Sequence, residues 1–440
     1  MKKIITCIFA FVLFLSACSP QLPFPLGQSP NPPPTAPAIP EPTFAPDELD
    51  ELDELPELDA EGRMAVFEEA WNLVNDRYLY RDFNGNDWQA IHEEFAPRVA
   101  TTTNNDDFYE LMYELIDRLG DDHSTFLSPS EAIEEDLEFY GESEYIGIGT
   151  VIYDTDDGGL VVQLARGSPA EEAGIHLYDL ILEIDGIPYN EAKTSQPDGA
   201  VSLLQGEEGT TVELRIRDQE NQERNLTVTR GLISNSSFPN ALSQHLADGR
   251  IGLLRIETFY ADAVDQEVEA ELRKLTANGP LAGLIIDVRD NGGGDIDLLL
   301  HTTALFVNEG SLGTVVSSKR RTPLWMPENR QIAEIADTPI IILIDQDTVS
   351  AAEMFAAAMR SLRSAFIIGQ PSAGNVENVS GYDLLDGSRL WLAEVSYRTP
   401  EGENIEGQGI QPDQLVEGEW WQYAPANDPY ILAALAHLIE

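Results

Sequence analysis

Cysteine is nearly missing from this 440-residue chain, which has only Cys7 and Cys18. Beyond Ser19 the sequence therefore offers no disulfide, no free thiol and no Cys/His zinc cluster. Lysine is equally scarce, at Lys2, Lys3, Lys193, Lys274 and Lys319. Cationic charge is low overall: 26 Lys+Arg face 77 Asp+Glu, for a formal charge of −51. A nucleic-acid partner needs basic patches, so that class is excluded. The acidity reads as a solvated, self-repelling surface. Paired histidines are absent too. His92, His176, His245, His301 and His437 stand singly, and no metal or cofactor is expected. The apolar run Ile4–Leu15 is too short for an ordinary transmembrane helix.

That run has another use. Lys2 and Lys3 precede it, and Leu15-Ser16-Ala17-Cys18 follows. A basic start, a short apolar run and small residues suit a cleaved signal peptide. The last four residues resemble a bacterial lipobox, which implies lipid attachment at Cys18. The expectation is a signal peptide over 1–18 and an exported protein, held by lipid on the outer face of a cell-envelope membrane. Residues 19–60 form a linker, proline-rich to Pro46 and then acidic with interspersed Leu.

With 42% apolar residues, the remainder has ordinary globular composition and room for two or three domains. The spacing predicts an α+β multidomain chain. In 61–140, Val66, Phe67, Ala70, Trp71, Val74 and Tyr78 recur at helical intervals, as do Phe108, Leu111, Met112, Leu115 and Leu119. Two or three helices ending at Gly120 are expected. Residues 141–232 carry short β-rich runs split by Gly and Asp turns, including a hairpin turn at Asp154–Gly158. Residues 233–440 alternate apolar strands, such as Ile251–Ile256 and Ile340–Ile344, with helical stretches. That pattern implies an α/β core with a largely parallel sheet. A C-terminal hairpin through Asp386-Gly387 follows.

Two motifs sit after buried strands of this core. Asp287-Val-Arg-Asp-Asn-Gly-Gly-Gly294 ends in three glycines that free the backbone for close approach. No Lys follows, so it is not a P-loop. Thr348-Val-Ser350-Ala-Ala-Glu places a serine at a helix start. Such a serine is either an N-cap or a nucleophile facing helix amides. Leu119-Gly-Asp-Asp-His123 and Ile405-Glu406-Gly-Gln-Gly add a loop histidine and a loop glutamate.

As a set, these motifs resemble the carboxyl-terminal processing (tail-specific) serine peptidases, over about Met64 to Val416. Gly147-Ile-Gly149, Gly167-Ser-Pro-Ala and Ile184-Asp-Gly186 resemble a PDZ domain of that family. The resemblance implies that Tyr145, Ile146, Gly147, Ile148 and Gly149 bind the free C terminus of a peptide. The better-known branch uses a Ser–Lys dyad, but Asn375 stands at the lysine position. The arrangement is more similar to the tricorn protease. That likeness implies Ser350 as nucleophile, His123 as base and Glu406 in its polar network. Asp122 and Asn375 are candidate supports, and the amides of Gly293 and Ala351 candidate oxyanion donors. The alternative is an inactive, peptide-binding PDZ lipoprotein that lost cleavage with the lysine.

Overall fold

The computed structural model describes residues 56–140, 144–196, 199–247, 249–261 and 263–439. The expected signal segment with Cys18, and most of the linker, lie outside these residues. The described residues divide into two compact units, one of residues 144–377 with 396–439, the other of residues 56–140 with 378–395.

Ahead of Gly120, where two or three helices were expected, the described residues of the smaller unit form three α-helices: Ala60–Arg77, Trp88–Val99 and Asn105–Asp117. Each starts on a side-chain cap, with Asp59, Asp87 and Asn104 accepting from the amides of Gly62, Ala90 and Asp107. The helical stripe residues Val66, Phe67, Val74, Phe95, Phe108, Met112 and Leu115 are buried together. The hairpin Asn378–Asp383/Arg389–Arg398 is present, with Asp383 opposite Arg389. Its residues 378–395 group with the helices because Leu384, Leu390, Leu392 and Ala393 enter the same core. A short strand, Thr125–Leu127, pairs antiparallel with it. The helix Pro129–Tyr140 completes the unit; the sequence reading did not anticipate it.

In the larger unit, the β-rich module is a six-stranded sheet over 150–229. Alternate residues Val212, Leu214 and Ile216 point into its own core with Val161, Ile181 and Ile184. The Asp154–Gly158 turn is a hairpin turn, closed by Thr155 N donating to Gly158 O at 2.9 Å.

The second sheet has six strands in the spatial order 241–246, 251–256, 283–287, 340–344, 366–369, 414–415. Only the first pairing is antiparallel. Gly283–Asp287 and Ile340–Ile344 are buried along their whole length, as strands covered on both faces must be. Helices Val264–Leu275, Ile296–Thr303 and Ala351–Arg363 cover one face, and Pro429–Ile439 covers the other. The strand Ala241–Leu246, the hairpin Ser311–Trp325 and the last helix were not foreseen. Three neighbouring parallel strands thus deliver three loops at their C-terminal ends: 288–295, 345–350 and 370–376. Open parallel sheets place their sites at that edge.

Candidate active site

Ser350 sits between the strand Ile340–Ile344 and the helix Ala351–Arg363 with φ 54° and ψ −116°. L-residues avoid this region, and such strain persists only where the surroundings impose it. Here they do. The Ser350 amide donates to Asn375 O and to Glu353 Oε2, both at 3.0 Å. The Val349 amide donates to Asn291 O at 3.0 Å. The serine is therefore held on a strained strand-to-helix turn, the geometry that exposes a nucleophile.

Gly293 lies against it. A Cβ there would come within 2.8 Å of Ser350 Cβ and 2.9 Å of the Ala351 nitrogen, and φ is +97°. Only glycine fits both requirements. The glycine loop and the serine thus meet as the two motifs implied. The Ala351 amide is a first-turn N–H with no intrahelical acceptor, at the positive end of the helix dipole. The Gly293 amide is committed differently: it donates to Asn291 Oδ1 at 2.9 Å. Asn291 is fully buried and anchored by Nδ2 on Ile256 O at 2.8 Å. Oxyanion duty at Gly293 requires that bond to be exchanged.

The residue that organises this turn, Glu353, was missed. It is fully buried and accepts four hydrogen bonds. Ser372 Oγ and the Gly374 amide reach Oε1 at 2.6 and 2.7 Å; the Asn375 and Ser350 amides reach Oε2 at 3.0 Å. Burial pushes its carboxyl above the usual range, and these donors pull back against it. A signal was available, since Ser350-Ala-Ala-Glu353 has the Ser-x-x-Glu spacing of a capping box.

Asn375 bonds through its backbone, while its side-chain Oδ1 is buried without a partner. Glu406 does not stand free in its loop: its Oε2 accepts the amides of Val376 and Glu377 at 2.8 and 3.0 Å. It holds the chain just after Asn375. The two loops touch backbone to backbone, because a Cβ on Gly374 would lie 2.6 Å from the Gly409 nitrogen. The lysines are engaged elsewhere. Lys193 pairs with Asp154 at 3.2 Å, Lys274 pairs with Glu271 at 3.0 Å, and Lys319 is exposed.

Beneath the glycine loop, Arg289 is buried and bidentate on Asp287 at 2.8 and 2.7 Å. It also meets Asp428 at 2.8 Å and stacks over Trp420. Burial opposes ionisation of Asp287, but the Arg289 guanidinium outweighs it and lowers the pKa.

In the smaller unit, His123 follows the turn at Gly120, and its loop is tied down by Asp121. Asp122, a candidate support in the sequence, is exposed. The engaged carboxylate of the pair is Asp121.

Of the expected peptide-binding residues, Tyr145, Ile146 and Gly147 pair with the strand Gly231–Ser234. Ile148 is buried, and its carbonyl accepts from the Ala170 amide at 2.9 Å. The carbonyl of Gly149 accepts from Ala165 at 3.0 Å. The next strand, Thr150–Asp154, pairs on one side only among the described residues. That edge is of the kind an added peptide strand uses.

Comparison with known families agrees with this geometry. Residues 250–416 match peptidase family S41, residues 59–117 the tricorn protease C1 domain and residues 160–218 the PDZ domain. A carboxyl-terminal-processing protease of Synechocystis sp. is 29% identical over 363 residues, covering 82% of each chain. The chloroplastic carboxyl-terminal-processing peptidase 2 of Arabidopsis thaliana is 28% identical, covering 79% of this chain and 68% of its own. Among solved structures, a photosystem II D1 C-terminal processing protease aligns with TM-score 0.54 at 25% identity. It covers 81% of this chain and 94% of its own. With the serine on its strained turn, these matches define a serine-type peptidase, a hydrolase. Residues 250–416 are similar to peptidase family S41, beside segments similar to the tricorn protease C1 domain and to a PDZ domain.

Proposed function

We propose that this peptidase cleaves proteins or their C-terminal tails in the cell envelope, with Ser350 as nucleophile and His123 as base. The observation that carries the reading is the φ/ψ of Ser350 at a helix start against Gly293. Ser350 Oγ attacks the scissile carbonyl and passes its proton to neutral imidazole, giving an acyl-enzyme; the imidazolium then protonates the leaving amine. The developing oxyanion faces the Ala351 amide and, once its bond to Asn291 Oδ1 is exchanged, that of Gly293, each such donor contributing roughly 3–4 kcal/mol in enzymes studied. Glu406 acts through the chain after Asn375, and Asp122, exposed beside His123, is a candidate support of the imidazole. The residues Tyr145–Gly149 and the edge Thr150–Asp154 take the substrate's C terminus. Cys18 carries the lipid that keeps the enzyme at the outer face of the membrane.

The second reading is a peptide-binding lipoprotein without activity, motivated by Asn375 at the lysine position. The relatives are named as proteases, which does not favour it. The deciding experiment incubates the chain from Ser19 onward with an unfolded protein, beside Ser350→Ala. Cleavage by the first and none by the second is expected; no cleavage by either returns the inactive reading.

A further inference from the structure

The loop that carries His123 contains two adjacent acids, and among the described residues it is Asp121 that is engaged. The carboxylate of Asp121 receives four hydrogen bonds. Oδ1 accepts the amides of His123 at 2.9 Å and Ser124 at 2.5 Å. Oδ2 accepts the hydroxyls of Tyr78 at 2.5 Å and Ser124 at 3.1 Å. Two consecutive amides on one Asp oxygen form a side-chain-closed turn, which fixes the local backbone without a helix or strand.

The turn is itself locked into a ring. Ser124 Oγ accepts the Ala393 amide at 3.1 Å. Ala393 O accepts the Leu79 amide at 2.9 Å. Leu79 is covalently next to Tyr78, whose hydroxyl returns to Asp121. Asn84 Nδ2 adds bonds to Tyr78 Oη at 3.1 Å and to Leu119 O at 2.9 Å, bracing both sides of the ring. Tyr78 is buried at the end of the first helix. The loop is thus clamped between that helix end and the strand Arg389–Arg398, and the bond to the His123 amide fixes the backbone from which the imidazole projects.

We propose that Asp121 is a positioning residue for the acid–base step, presenting the imidazole of His123, with Tyr78 and Ser124 as its supports. This rests on the reading of His123 as base. A general base works only when held within hydrogen-bond reach of its proton, and a displacement of about 1 Å costs on the order of 10²-fold in rate. A loop of polar residues with no regular structure cannot hold that tolerance by packing, whereas a saturated carboxylate can.

The test compares the full chain with Asp121→Ala, Asp121→Asn, Tyr78→Phe and His123→Ala. Readouts are cleavage of an unfolded polypeptide and the rate and final extent of Ser350 labelling by a fluorophosphonate. Asp121→Ala is expected to lose about 10²-fold in kcat, with KM within about twofold. Labelling should be slow yet reach one label per chain. Asp121→Asn keeps an acceptor for the two amides and should recover part of the loss. Tyr78→Phe should fall between it and the parent. Wild-type labelling rate with a reduced final extent would mean partial unfolding only, and would overturn the proposal. So would a parental kcat for Asp121→Ala beside an inactive His123→Ala, an outcome that leaves the base reading standing. A fully active His123→Ala removes the base reading itself, and this proposal with it. If Asp121→Ala does not fold, Asp121→Asn and Tyr78→Phe decide by the same two readouts.

Discussion

Glu353 Oε2 lies 3.0 Å from the Ser350 amide, so a buried carboxylate grips the backbone of the candidate nucleophile itself. The same carboxylate receives Ser372 Oγ and the amides of Gly374 and Asn375. One side chain therefore ties the serine turn to the neighbouring loop. Glu353→Gln keeps one acceptor oxygen and turns the other into a donor that faces donors. An orphaned buried donor costs about 1–3 kcal/mol, so a loss of that size or more is expected from urea unfolding. Cleavage should fall with it, because the strained φ of Ser350 loses its restraint. Unchanged stability and activity would show that the grip is dispensable.

Asp287→Asn should destabilise strongly. It leaves Arg289 buried with part of its compensation gone, and breaking a buried pair from one side costs about 3–5 kcal/mol. The pH dependence follows from the sign of the shift. The carboxyl of Asp287 is depressed in the fold, so its contribution is present above the unfolded value of about 3.9. It is lost as pH falls through the lower folded value. The gap in unfolding free energy between parent and variant should be full at pH 7 and should narrow in strong acid. A gap that stays constant down to the acid limit would contradict the assignment.

His123→Ala should abolish cleavage by about 10²- to 10⁴-fold, the usual contribution of a positioned base. Folding and binding of a C-terminal peptide by the PDZ domain should persist. Asn375→Ala should cost much less, since its contacts to Ser350 and Glu353 run through its backbone. Activity of the parent should decline as falling pH protonates the imidazole, because imidazolium cannot accept a proton. Full activity of His123→Ala would send the search for a base to the other groups around Ser350.

Cys18→Ser should release the protein from the membrane fraction or block its maturation. The motive is the sequence Leu15-Ser16-Ala17-Cys18 alone. Fractionation of the variant with and without detergent checks it; identical membrane retention would discard the lipid anchor.

The sequence by itself determined the elements whose pattern is local. Helix periodicity marked Val66, Phe67 and Val74 on one helix and Phe108 on another, and the fold buries all four in one core. The apolar runs Ile251–Ile256 and Ile340–Ile344 are strands over those same residues. Glycine in Asp287–Gly294 and serine at 350 announced themselves because backbone freedom and a helix start leave a local signature. The elements that escaped have weaker signatures. Ser311–Trp325 carries Pro323 inside a strand, Ala241–Leu246 mixes polar with apolar residues, and Pro429–Ile439 is too uniformly apolar to show a face.

Tertiary structure decided which polar groups do the holding. Glu353 and Asp121 look like ordinary acids among 77 until Ser372, Asn375 and Tyr78 arrive from distant positions. A carboxylate's role is set by the donors around it, and those donors are brought by the fold. The same holds for Gly293, whose amide meets Asn291 Oδ1 only once the loop has closed on Ile256. Sequence spacing specifies where the chain turns. It does not specify which hydrogen bonds those turns complete, because each needs partners that adjacency along the chain does not supply.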